Sequence, residues 1–270
     1  MLTAVTLAVR EEFSVHKWTC SGGDAGWSDV EQPSAARLVL VRSGRFRRTG
    51  GPDGPIDLDT TVGYLGGPGE VEQFAHPDGG DRCTSIQLSV SSWQQLVGDP
   101  DRVRRSAFYV DAQMEFVHRR LLRAAATTDP DYRMAEELLR LAEPAVRQTV
   151  HGRTPLDDRG TGANRRLVDR ARAAIHDGHP GARGLFPLAA MLDTSPYRLS
   201  RAFGVELGVS ITRYRNRVRV GALLEALQRD EATLADLAHT FGFADQAHLT
   251  RTVRMHLGHT PTAVRRALAR

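Results

Sequence analysis

Arg201 and Arg251 occupy the same place in two copies of one pattern. The first copy reads Leu188-Ala189-Ala190, a turn through Asp193-Thr194-Ser195-Pro196, then Leu199, Arg201, Phe203, Leu207, Gly208, Ser210 and Arg215. The second reads Leu237-Ala238-His239, a turn through Gly242-Phe243-Ala244-Asp245, then Leu249, Arg251, Val253, Leu257, Gly258, Thr260 and Arg265. The offset is 49 residues before the turn and 50 after it, so one residue is inserted at the turn. Helical spacing turns Tyr197, Ser200 and Arg201 of the first copy outward, with Gln246, His248 and Arg251 of the second. These side chains suit the edges of nucleic-acid bases. A guanidinium clamps guanine with two parallel hydrogen bonds, glutamine pairs with adenine, and a tyrosine ring packs on a thymine methyl group or a sugar. Arg198, Arg215, Arg217, Arg219 and Arg254 are placed to hold phosphates, which position a duplex without specifying its sequence. The bland alternative makes Arg201 and Arg251 surface salt-bridge residues. Their equivalence in both copies argues against it.

Short helices must hold these side chains. Ser195 caps one helix with Pro196 in its first turn, and Asp245 caps its counterpart. Leu199, Ala202, Phe203 and Leu207 face inward on the first, and Leu249, Val253 and Leu257 on the second. Ser210 caps a long connecting helix through Gln228, with Ile211, Tyr214, Val218 and Leu224 or Leu227 as its stripe. Thr233-Leu-Ala-Asp236 is a capping-box-like start, and Thr260-Pro261 opens the last helix. A helix from about Asn164 to Gly178 and another from about Leu185 to Leu192 precede the first turn. The spacing describes two helix–turn–helix units separated by a long helix.

Charge supports a polyanionic partner. Residues 164–270 carry 17 arginines against 9 acidic residues, a net of +8, whereas residues 1–163 carry a net of −4. A basic end on an otherwise acidic chain is the electrostatic footprint of a polyanion-binding module. Apolar content of 41% and charged content of 25% are globular values. No apolar run approaches ~18 residues and no secretory signal is recognisable, so the expectation is a cytoplasmic protein without a membrane partner. Cys20 and Cys83 do not make a disulfide framework.

Residues 1–98 read as short β-strands at Phe13–Cys20, 37–42, 44–49, 61–65 and 84–90, with glycine- and proline-rich turns between them. Such strands suggest a barrel or jelly roll with a small-molecule pocket. Alternation puts His16, Trp18 and Cys20 on one face, and Cys83 with Ser85 and Gln87 on the more polar face of its own strand. His16, Cys20, His76 and Cys83 are therefore candidates for a metal or effector site, although no Cys-x-x-Cys or His-x-His spacing joins them. Residues 99–150 turn helical. Met114, Val117, Leu121 and Leu122 form one stripe after an Asp111 cap. Met134, Leu138, Leu141 and Ala145 form a second, after an Asp129 cap and Pro130. Pro144 should kink or end that helix. This segment is a candidate homodimer interface, and residues 151–163 read as a linker.

At this point the C-terminal residues carry a family resemblance. Gly242-Phe-Ala-Asp-Gln-Ala-His-Leu-Thr-Arg-Thr-Val-Arg254 with Gly258-His-Thr-Pro261, supported by Ser195-Pro-Tyr-Arg-Leu-Ser-Arg-Ala-Phe203 and Gly208, resembles the DNA-binding domain of the AraC/XylS transcription regulators. The resemblance covers 164–270. It implies seven helices and two recognition helices entering successive major grooves, which lie ~34 Å apart on one face of the DNA. Residues 13–95 more loosely resemble the cupin-like sensor domains of that family, through Gly69-Glu-Val-Glu-Gln-Phe-Ala-His-Pro77. The metal-binding cupin His-x-His is absent near Gly26-Trp27-Ser28. His16–Cys20 and His76–Cys83 are also similar to motifs of an uncharacterised subgroup of these sensors.

The expected fold is thus multi-domain β plus α, with a cupin-like β-barrel over 1–98 and a C-terminal all-α double helix–turn–helix domain. The expected function is a sequence-specific regulator that binds double-stranded DNA, answers a small-molecule or other effector through its N-terminal domain, and has RNA polymerase as a further partner. It is not expected to be an enzyme or to hold an obligate cofactor. The alternatives are a metal- or thiol-responsive regulator using Cys20, Cys83 and His76, and a cupin metalloenzyme with a DNA-binding tail.

Overall fold

The computed structural model describes residues 2–22, 26–52, 54–99, 102–103, 105–125, 131–151, 162–229 and 232–269. The chain divides into two compact units. One comprises Met1–Val110 with Arg120–Gly152, the other Asp111–Arg119 with Arg153–Arg270. The expected Asp129 cap, Pro130 and nearly all of the 151–163 linker lie outside the described residues. Among the described residues, no helix is long and apolar enough to cross a membrane.

In the N-terminal unit, β1 (Leu2–Val9), β2 (Phe13–Cys20), β3 (Ala36–Ser43), β6 (Val62–Gly66), β8 (Asp81–Leu88) and β9 (Ala107–Tyr109) form an antiparallel sheet in the order β1-β2-β8-β3-β6-β9. A three-stranded sheet pairs β5 (Ile56–Leu58), β4 (Phe46–Thr49) and β7 (Gln73–Ala75) in the order β5-β4-β7. Residues facing each other across an antiparallel pair share a face. The register Trp18↔Cys83↔Val41 and His16↔Ser85↔Val39↔Tyr64 therefore collects one face of the large sheet. That face looks toward the small sheet, because the Arg48 guanidinium of β4 lies 4.4 Å over the Tyr64 ring and Phe74 of β7 sits 6.4 Å from it. The opposite face, with Val15, Leu38, Leu40, Ile86 and Leu88, is almost fully buried. It is covered by α1 (Val90–Val97), through Trp93 and Val97, and by α3 (Asp131–His151), through Leu138, Leu141 and Ala145.

Four features depart from the sequence reading. β1 is an edge strand on which Leu2, Val5 and Val9 stay exposed and only Ala8 is buried, so no half-buried alternation marks it. The last long strand ends at Leu88, and Ser89 caps α1 by accepting the Ser92 N–H at 3.2 Å. β9 interrupts a stretch expected to be helical. Of the two expected effects of Pro144, a kink or an end, the end does not occur, and α3 runs on to His151. Leu141, Ala142 and Ala145 around it are at most 2% exposed, and their packing outweighs the roughly 3 kcal/mol that an interior proline costs.

The space between the sheets is filled with paired charge. Arg48 is wholly buried and donates to Glu72 at 2.7 Å, Glu70 at 2.8 Å, and the Gly50 carbonyl and Ser106 hydroxyl at 3.2 Å. Arg37 pairs with Glu72 as well. Burial beside these groups pushes the Tyr64 phenol up to about 12, so it remains a neutral donor.

In the C-terminal unit, α4 (Gly162–His176), a 3-10 turn at Pro180–Arg183, α5 (Leu185–Met191) and α6 (Pro196–Leu207) precede the long α7 (Ile211–Arg229). After it come α8 (Leu234–Thr240), α9 (Gln246–Leu257) and α10 (Pro261–Leu268). The predicted caps form. Ser195 accepts the Arg198 N–H at 3.2 Å, Ser210 the Arg213 N–H at 3.2 Å, Asp245 the His248 N–H at 2.6 Å and Thr260 the Ala263 N–H at 3.2 Å. Thr233 and Asp236 complete the capping box. α7 buries more than the expected stripe: Arg217, Val220 and Leu223 join the expected Ile211, Tyr214, Leu224 and Leu227, while Val218 is only half-buried. It serves the cores of both helix–turn–helix units, so it is covered on several sides. Ala112 and Phe116, from the first half of α2 (Ala112–Ala124), complete the second of these cores.

The inserted residue falls between the left-handed residue of each turn and the next helix. Asp193 (φ 52°) is followed by Thr194 alone before its cap, whereas Gly242 (φ 67°) is followed by Phe243 and Ala244. Phe243, 5% exposed, fills the second core. Gly242→Ala is expected to cost about 1–2 kcal/mol, because a Cβ is strained at this φ. Asp193→Asn should be near neutral, since asparagine tolerates the same region. Urea unfolding midpoints check both.

Candidate nucleic-acid interface

The two caps set α6 and α9 in equivalent frames. Arg201 is the sixth residue of α6 and Arg251 the sixth of α9. Both are exposed. Around Arg201 stand Tyr197 (75% exposed), Arg198 and Ser200, all outward. Around Arg251 stand exposed Gln246 and Arg254. The buried sides are Leu199, Ala202 and Phe203 on α6, and Leu249, Thr252, Val253 and Leu257 on α9. Each outer face therefore presents donors and a flat or polar surface on a rigid, capped helix, the shape that enters a major groove.

His248 is more constrained than expected. Its ring is half-buried, packs edge-on against Phe243 at 5.5 Å, and accepts the Ala244 N–H at Nδ1 at 3.2 Å. With Nδ1 accepting, neutral His248 carries its proton on Nε2, which is the edge left to donate. Thr250 stands where Ser200 stands in the first unit and is half-buried at the same outer face. It was missed in the sequence. The 50-residue offset that pairs Arg201 with Arg251 would have found it.

Two of the five expected phosphate contacts have other work. Arg217 is 1% exposed, and its Nη1 lies 2.6 Å from Glu115 Oε2 of α2. Arg119 Nε and Nη2 donate to the other carboxylate oxygen at 3.0 and 2.7 Å. Burial pushes the Glu115 carboxyl up, but Arg217 and Arg119 outweigh it and hold the group below its ordinary range. Gly221 makes room, since a Cβ there would stand 2.6 Å from Arg217 Nη1 and 3.0 Å from Glu115 Oε2. Arg217 is therefore a structural cation. Arg219 donates to the Phe241 carbonyl at 3.0 Å and to the Gly242 carbonyl, and lies 4.2 Å over the Phe243 ring. It staples the second turn to α7. Arg198 and Arg254 are exposed and Arg215 is half-buried, and these three remain on the accessible surface.

The candidate effector residues of the N-terminal unit do not come together as one set. His16 has both ring nitrogens engaged, Nδ1 with Thr6 Oγ1 at 3.1 Å and Nε2 with Ser14 Oγ at 2.8 Å. Cys83 sits beside Asp81. Burial first, and then the Asp81 carboxylate, push its thiol up to about 12, so it is a protonated, weakly reactive group at neutral pH. Cys20 and His76 do converge, on Asp81, a residue the sequence reading did not select.

Two capped helix–turn–helix units sharing one long helix, each with an outward arginine in the same register, make a double helix–turn–helix domain. Residues 188–267 match the family model described as a helix-turn-helix domain. The chain is 25% identical over 132 residues to the arabinose operon regulatory protein of Escherichia coli (strain K12), covering 49% of this chain and 42% of that protein. The match thus spans less than half the length of this relative. Among solved structures, the C-terminal domain of AraT, a response regulator from Geobacillus stearothermophilus, is 28% identical over 37% of this chain and 84% of that one, at a TM-score of 0.35. ToxT from Vibrio cholerae O395 is 11% identical over 96% of this chain and 99% of that one, at a TM-score of 0.38. Residues 188–267 are a helix–turn–helix domain.

Proposed function

We propose that the chain is a transcription regulator of the AraC family that binds double-stranded DNA through α6 and α9 and answers an effector held by its N-terminal unit. The observation that carries this reading is the pair Arg201 and Arg251, exposed at the sixth position of two equivalently capped helices. Tyr197, Ser200 and Arg201 read one half-site, and Gln246, His248, Thr250 and Arg251 the other. The scaffold is the same and the edges differ, so the halves differ in sequence. Arg198, Arg215 and Arg254 hold phosphates, and their excess over acidic groups makes affinity fall with salt. An effector acts by binding the DNA-competent and incompetent arrangements with different affinity. RNA polymerase is the further partner at a promoter, and the cytoplasm the compartment. Of the expected α2 stripe, Met114, Val117 and Leu121 are at most 5% exposed and Leu122 is half-buried. A homodimer would instead use α3, where Tyr132 and Leu139 stand exposed one heptad apart.

Selection of bound duplexes from a random pool tests the reading. The expected product is one asymmetric site with two conserved patches, their centres about 10 base pairs apart. A pool that stays random after repeated rounds would overturn it.

A further inference from the structure

We propose that Cys20, His76 and Asp81 form a binding site for a thiophilic divalent cation of the zinc class in the N-terminal unit. Its function as the regulator's effector rests on the reading above. The site itself does not.

The site is built by strand register. Cys20, the last residue of β2, lies directly opposite Asp81, the first of β8, so the two side chains share a face. His76 follows β7 immediately. One ligand atom from each of the three residues lies within 4.8 Å of the other two. Tetrahedral zinc with sulfur, nitrogen and oxygen donors needs ligand–ligand edges of about 3.3–3.6 Å, so small side-chain rotations suffice.

A second observation concerns the alignment of two of these donors. Asp81 is 3% exposed at its side chain, and its Oδ1 lies 2.8 Å from His76 Nδ1. Among the described residues, this ion pair is the closest polar contact of either atom, and it is not aligned as a linear hydrogen bond. A poorly aligned pair satisfies buried polar atoms incompletely. A cation bound between them would satisfy both.

The backbone holds the donors in place. The Pro77–Gly80 turn closes onto the end of β2 so tightly that a Cβ at Gly80 would stand 2.3 Å from the Cys20 carbonyl oxygen. Arg42 of β3 ties the same strands together, donating to the Trp18 carbonyl at 3.2 Å and the Cys83 carbonyl at 3.2 Å. The Phe46 ring, 5.8 Å from His76, backs the imidazole. Cys83 lies two residues along β8 from Asp81, on the same face but outside the ligand set.

Donor chemistry selects the cation. A thiolate, a neutral imidazole and a carboxylate carry two negative charges, which a divalent ion neutralises as Cys20 releases its proton to solvent. Magnesium and calcium prefer all-oxygen shells, and sulfur with nitrogen favours zinc and its neighbours. Cys20 and His76 are only partly buried, which leaves a fourth position for water and a path for exchange. His16 is excluded: four residues before Cys20 on one strand places it about 13 Å away.

Cobalt(II) titration of the metal-free full chain tests the site. The expected result is one cobalt per chain, with tetrahedral visible bands and a thiolate-to-cobalt charge-transfer band, displaced by stoichiometric zinc. Cys20→Ser should abolish the charge-transfer band, and Asp81→Asn and His76→Gln should weaken binding at least about tenfold. Cys83→Ser and His16→Ala should keep the band. Each variant is first checked for the parent's circular dichroism, and the three ligand variants are independent of one another should one fail to fold. No charge-transfer band in the parent, or a band that survives Cys20→Ser, would overturn the assignment. DNA plays no part in this readout, so its failure leaves the DNA-binding reading standing, and a failed duplex selection leaves the metal site standing.

Discussion

Glu115→Ala is expected to lower the stability of the C-terminal unit by about 3–5 kcal/mol, the usual cost of leaving one member of a buried ion pair without its partner. Arg217 would keep its charge at 1% exposure without the Glu115 carboxylate that lies 2.6 Å from it. In a unit of this size that loss moves the melting temperature down by roughly 10 °C or more. The double variant Glu115→Ala with Arg217→Met should recover a large part of the loss, because it removes both charges and restores apolar volume. A double-mutant cycle on chemical unfolding separates the pair from simple packing loss. The pH dependence has a definite sign. The folded-state pKa of Glu115 lies below its unfolded value. Its stabilisation is therefore fully present above the ordinary carboxylate range and is lost as pH falls through the depressed folded value. Acid should destabilise the parent more steeply than the double variant.

Arg201→Ala and Arg251→Ala should each weaken binding to the selected site by about 1–3 kcal/mol, a factor of roughly 5 to 150, and relax base preference in one half only. On the proposed reading the two arginines enter separate grooves, so the double variant should lose close to the product of the two factors. Arg198→Ala and Arg254→Ala behave differently if they hold phosphates. They should weaken all sequences alike and reduce the salt dependence. Fluorescence anisotropy with the selected duplex and a scrambled one, across a salt series, distinguishes base readers from phosphate holders.

Much of the C-terminal unit is legible because its signals are local. Ser195, Ser210, Thr233, Asp245 and Thr260 each mark a helix start by capping chemistry that needs nothing distant. The long α7 is harder, because two cores and α2 share it and one period cannot describe its burial. Nothing near Arg217 says that it, among five arginines in one stretch, is the buried one. Gly221 was the available clue: a glycine inside a long helix costs about 1 kcal/mol, and close approach of another group explains it. In the N-terminal unit β2, β3 and β8 announce themselves by their apolar and alternating residues, whereas β5, β7 and β9 have three residues each, too few for a period. The Cys20–His76–Asp81 cluster was half-legible. Asp81, Cys83 and Ser85 alternate on one face, but the register that sets Asp81 against Cys20 is a pairing fact that no single strand contains.

Chemical-interference footprinting of the selected duplex by the parent, Arg201→Ala and Arg251→Ala tests the central claim most directly. The account predicts two clusters of major-groove guanine contacts on one face of the DNA, about one helical turn apart, with each variant erasing a different cluster. Identical footprints from all three proteins would contradict it.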